Sequence, residues 1–269
     1  MVNYDLCHSK EARKFLNRNP TVETNIKSFL EDIIRKNRVT IIDRISTEKI
    51  GNKSCAKFVP HEGRCEILIL PSTLYHFYGD DIEMFGRSIL AHEIYHAKEY
   101  ELLCAAVGWK NVPRVDVYTG GSEGVFSSNG YLFWSEFFAE YSTCLEFKTD
   151  LNRYMSKLSN MSIVGAMNKL KAAISTGSYS EQLIRTHTTV CIYVYHIIHY
   201  IAWCEANSVE LDWHLLNMSN NIRDVMDSMR HIVLSILSDF PNKDSTLQKA
   251  NLLGKEVERL FGIFDIKFS

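Results

Sequence analysis

The segment His92-Glu93-Ile94-Tyr95-His96 sets two imidazoles four residues apart, with a carboxylate directly after the first. On an α-helix such positions project about 40° apart, so both rings leave one face and can converge on one metal ion. Glu93 then lies about 60° round the helix from His96, beside the ion but not on it. Two neutral nitrogens on zinc, with a carboxylate next to a bound water, are the parts that metal-dependent hydrolysis needs. At average composition, a chain of this length shows the three-residue pattern by accident about once in a hundred.

Residues 131–148 supply a second group. They read as an aromatic-rich helix with Glu136 and Glu140 on one face, among Phe133, Phe137 and Cys144. Like charges at this spacing cost a helix roughly 0.2–0.5 kcal/mol in water, and more when buried without a partner. Something cationic should face them. A zinc ion on His92 and His96 meets that need, with Glu136 as third ligand and Glu140 accepting a hydrogen bond from a ligand imidazole. An ordinary half-exposed pair beside a lysine or arginine is the plainer alternative.

His92-Glu93-Ile94-Tyr95-His96 followed by Glu136-Phe137-Phe138-Ala139-Glu140 resembles the gluzincin branch of zinc metallopeptidases, whose downstream helix carries a Glu-x-x-x-Asp/Glu pair. The resemblance implies His92, His96 and Glu136 as zinc ligands, Glu93 as general base, and Glu140 as the carboxylate behind a ligand. Spacing alone leaves the order of the two glutamates open; the family pattern puts the ligand first. The metzincin pattern needs Gly at 99 and His at 102, where this chain has Glu99 and Leu102. The order helix, small sheet, metal helix, glutamate helix is also similar to the ImmA/IrrE-like group of small intracellular bacterial peptidases. The resemblance covers about residues 21–148. No position matches an oxyanion donor; Tyr131, His187, His196 and His199 are candidates by type, and each suits a packing role better.

The elements that must position these residues are readable in outline. Gly79-Asp80-Asp81 supplies a break and a capping carboxylate, after which Ile82, Phe85, Ile89, His92 and His96 share one helical face. Upstream, residues 21–36 predict a helix with Val22, Ile26, Phe29, Leu30, Ile33 and Ile34 as its apolar stripe. Three β-like runs follow, Val39 to Ile45, Ser54 to Val59 and Arg64 to Leu70, the last two joined through Pro60-His61-Glu62-Gly63. In that register Cys55 faces Leu68. A small sheet whose edge strand lies beside the metal helix can hold an extended peptide as an added strand, and a hairpin that merely covers the helix has the same pattern. The Gly- and Ser-rich stretch from about Gly108 to Gly130 predicts a loop, a lid or a plain insertion. Beyond 162 the chain predicts helices. One opens at a capping box, Ser178-Tyr-Ser-Glu181, and runs to about Glu205; others span about 212–239 and 244–261.

At 269 residues, with 46% hydrophobic and 23% charged side chains, the composition is that of an ordinary globular protein. A net charge of -2 leaves no basic surface of the kind nucleic acid requires. The apolar core at Val190 to Ala202 is too short and too polar to span a bilayer. The N-terminus lacks a signal-peptide pattern, and seven scattered cysteines without Cys-x-x-Cys read as reduced thiols of a cytoplasmic protein. The expected fold is therefore α+β: a zincin-like core over 1–150 and a helical region over 151–269 packed on it. The expected function is zinc-dependent hydrolysis of a protein or peptide substrate. Two other classes fit the same residues. One is a metal-bound regulator without activity, marked by a closed fourth metal position; the other is a helical interaction protein carrying the motif by accident.

Overall fold

A computed structural model describes residues 2–50, 55–78, 80–113, 122–160, 162–175, 180–216 and 218–266. The chain is α+β and divides into two compact units, Met1–Val112 with Leu145–Phe147, and Pro113–Cys144 with Lys148–Ser269.

The first unit is built on a four-stranded mixed sheet of β1 (Asn3–Asp5), β2 (Ile42–Thr47), β3 (Ala56–His61) and β4 (Arg64–Ile69), in the order β1-β2-β4-β3. β1 and β4 both run parallel to β2, and β3 is the antiparallel edge. Ile45, Cys65, Ile67 and Ile69 are fully buried, the alternation of a sheet with one covered face. The hairpin between β3 and β4 turns on Glu62 and Gly63, both at positive φ, the backbone of a tight two-residue turn. His61 therefore pairs with Arg64 and Lys57 with Leu68. Cys55 sits opposite Leu70, whose N–H it accepts, two residues away from the expected register. The four-residue loop expected from Pro60 to Gly63 is half that length, because Pro60 and His61 stay in the strand.

Helix α1 (Lys10–Leu16) and strand β1 were not expected from the sequence. Ser9 starts α1 by accepting the Ala12 N–H on its hydroxyl. Helix α2 (Pro20–Asn37) buries Val22, Ile26, Leu30, Ile33 and Ile34, as its stripe predicts. Helix α3 (Asp80–Val107) packs on α2, on β3 and on the 3-10 turn Pro71–Phe77. Leu90, Ala91, Ile94 and Ala97 are fully buried in it. Of the expected stripe, Ile89, His92 and His96 are buried, but Phe85 is 40% exposed. Its ring lies at the surface, edge-on to His76. Gly79 and the Ile82 side chain lie outside the described residues.

The second unit is helical: α4 (Ser122–Glu146, as far as Cys144), α5 (Asn152–Leu158), α6 (Ile163–Ser175), α7 (Ser180–Asn207), α8 (Asn220–Asp239) and α9 (Lys243–Gly262). The expected loop is corrected in its second half. From Ser122 through Gly130 the chain is helix, whereas 114–121 lies outside the described residues. Gly130 serves packing rather than a turn: a Cβ there would meet the Ala250 carbonyl oxygen at 2.0 Å and the Gly254 nitrogen at 2.7 Å. Residues 178 and 179 of the expected capping box also lie outside. The helix expected from 212 begins at Asn220, after a 3-10 turn Trp213–Leu216. Among the described residues, no helix is long and apolar enough to cross a membrane, and none of the seven cysteines is in a disulfide.

Candidate metal centre

In the first unit, the helical spacing of α3 brings the two motif imidazoles together. The Nε2 atoms of His92 and His96 lie 3.0 Å apart, with both residues buried. Two nitrogens bound tetrahedrally to one zinc at about 2.0–2.1 Å would be about 3.3 Å apart, so the pair fits one ion after a small adjustment. The Phe58 ring stacks on His96 at 5.9 Å and meets Tyr100 edge-on, which holds the imidazole in its rotamer. Glu93 is held as well: its Oε2 accepts the backbone N–H of Phe58 at 2.7 Å. The ladder explains that bond. Lys57, Val59 and His61 face their β4 partners in the hydrogen-bonded positions, so the Phe58 N–H points away from the sheet, toward α3.

In the second unit, Glu136 and Glu140 on α4 share one imidazole, that of His199 on α7. Its Nε2 lies 3.0 Å from Glu136 Oε2 and its Nδ1 lies 3.6 Å from Glu140 Oε2. Glu140 is 1% exposed. Its Oε1 accepts the Tyr154 hydroxyl and has the Cys144 thiol at 3.8 Å. Burial and then the Glu140 carboxylate push the Tyr154 phenol far up, so it stays a hydrogen-bond donor at all physiological pH. The same two causes raise the Cys144 thiol to about 12. The Tyr195 ring packs on His199 at 4.2 Å, and Trp203 fixes the loop after α4 by donating from Nε1 to the Thr149 carbonyl.

The expected site residues therefore fall into a histidine pair with Glu93 in one unit and a carboxylate pair in the other. Among the described residues, His92 in the first unit and Glu136 and His199 in the second each carry an atom of the kind that can bind a metal ion. By residue type and position alone, His199 reads as a packing residue. Its one signal was its place three residues after His196 on an apolar helix. His196 is different in kind: burial, with Lys157 and His199 adding to it, lowers its imidazole to about 4, so it is a neutral ring at pH 7. Tyr131 is buried; the His187 side chain lies outside the described residues. No protein-family model, curated protein or solved structure matches the chain.

Proposed function

We propose that the chain is a zinc-dependent peptidase with a zincin-like core of the gluzincin type, its ion held by His92, His96 and Glu136. The observation that carries this reading is the His92–His96 pair, Nε2 to Nε2 at 3.0 Å, with Glu93 anchored beside it on the edge strand. When bound, zinc supplies a water of lowered pKa and a Lewis acid for the scissile carbonyl. Glu93 takes the water's proton on its carboxylate and passes it to the leaving amine. The Phe58 N–H keeps that carboxylate in one orientation.

A second reading, a metal-bound regulator without activity, is favoured by one observation. His199 Nε2 stands 3.0 Å from Glu136 Oε2, and a fourth protein donor on the ion would close the position that catalytic zinc keeps open.

Elemental analysis of the purified chain against His92→Ala and His96→Ala tests the metal: about one zinc per chain is expected for wild type and a large loss in both variants. Equal, near-zero metal in all three removes the site. A peptide-library screen separates the two readings. Cleavage by the zinc-loaded protein is expected, and zinc without cleavage of any peptide supports the regulator.

A further inference from the structure

Resting on the peptidase reading above, we infer that Phe58 is a positioning residue whose backbone N–H holds Glu93 off the metal ion and so keeps the water position open. All the groups involved belong to the first unit. Glu93 directly follows His92 on α3 and lies about 60° round the helix from His96. A carboxylate so near a divalent ion, on a side chain with three rotatable bonds, is by its chemistry a zinc ligand itself. On the ion it would fill the position a catalytic zinc keeps for water and cease to be a proton acceptor. Its Oε2 instead accepts the Phe58 N–H at 2.7 Å, a short charge-assisted bond.

The donor is itself fixed. Lys57 and Val59 make the ladder bonds to β4, so the N–H of Phe58 leaves the outer edge of β3. The Phe58 ring stacks on His96 at 5.9 Å and meets Tyr100 edge-on at 5.7 Å. The Tyr100 hydroxyl accepts the Gly63 N–H at 3.3 Å, which ties the turn between β3 and β4 to α3. One residue of the strand thus sets the base through its backbone and a ligand imidazole through its ring.

Two substitutions separate these roles. Phe58→Pro removes ring and N–H; β3 already carries Pro60 at the next outward-facing position, where an edge strand tolerates proline. Phe58→Leu loses the same ring but keeps the N–H. Zinc affinity of the full chain, measured against a competing chromophoric chelator, should be tighter in Phe58→Pro than in Phe58→Leu by about tenfold or more, the worth of one hydrogen bond to a charged group. Peptide cleavage should be at least about a hundredfold slower in Phe58→Pro than in Phe58→Leu. Azide should shift the visible spectrum of cobalt-loaded wild type and Phe58→Leu, and not that of Phe58→Pro. A merely structural contact gives the opposite sign, weaker metal binding in the disturbed strand. Zinc binding in folded Phe58→Pro no tighter than in Phe58→Leu, or azide uptake by Phe58→Pro, overturns the inference, while cleavage by wild type still upholds the peptidase. A wild-type protein that binds no zinc overturns both. Should Phe58→Pro fail to fold, amide hydrogen exchange decides: the Phe58 N–H of zinc-loaded wild type should exchange at least about tenfold more slowly than in Glu93→Ala, and equal rates overturn the inference.

Discussion

Glutamine at position 93 removes a proton acceptor and leaves its anchor in place, because the carboxamide oxygen can still take the Phe58 N–H that Glu93 accepts now. Glu93→Gln should therefore keep fold and zinc content while peptide cleavage falls by at least about a hundredfold. Steady-state cleavage beside zinc analysis of the same preparation checks this, and undiminished turnover makes Glu93 a bystander. The two glutamates of α4 are separated by their partners. Glu136→Ala should abolish high-affinity zinc binding; Glu140→Ala should weaken it by about 10–100-fold. Zinc titration against a chelator, with circular dichroism to verify folding, tells them apart, and the reverse order exchanges their roles. His92, Glu93 and His96 were legible in the sequence because one helix sets their geometry. His199 was not: it reaches Glu136 only because α7 packs beside α4, and nothing within ten residues of it announces that neighbour.

Helix-scale packing explains why a glycine-rich stretch that reads as loop is helix. Gly costs about 1 kcal/mol against Ala in a helix, yet at Gly130 only a missing side chain lets α4 touch the backbone of α9 at Ala250 and Gly254. Gly130→Ala should thus destabilise the protein by at least about 2 kcal/mol, since the clash is with backbone rather than a movable side chain. Gly262→Ala, where a Cβ meets nothing within 4 Å, should be neutral or gain up to about 1 kcal/mol. Denaturant melts of both variants check the contrast. Strands β2, β3 and β4 were readable from their β-like runs, and the hairpin from Gly63. The register slipped because Glu62 also takes positive φ, which its residue type does not announce. β1 escaped notice for a different reason: three residues with little pattern of their own are strand only because they pair with β2, some forty positions later.

Over the whole molecule, each unit carries buried thiols that report on its own integrity: Cys65 in the sheet of the first, Cys144 and Cys204 among the helices of the second. Burial pushes Cys204 up to about 11 and, with Glu140, Cys144 to about 12. At pH 8 a thiol at 11 is thiolate in only about one part in a thousand. Native protein treated with iodoacetamide should therefore label Cys55, which is half-buried, well before Cys65, Cys144 or Cys204. Peptide mapping by mass spectrometry gives the order. Early labelling of Cys65 would show the sheet opening, and early labelling of Cys204 would show α7 coming loose. The α+β class was legible from composition and pattern. The division at Val112 was not, since α4 begins within a stretch that reads as loop.

The anchoring of Glu93 has one more consequence, for self-association. An edge strand normally offers a row of unpaired N–H groups on which a strand of another chain can nucleate. On the outer side of β3, Pro60 has no N–H to give, and the N–H of Phe58 already belongs to Glu93. A strand from a second copy gains little there unless it first displaces that carboxylate, so the arrangement that orients the proposed base also guards the sheet against aggregation.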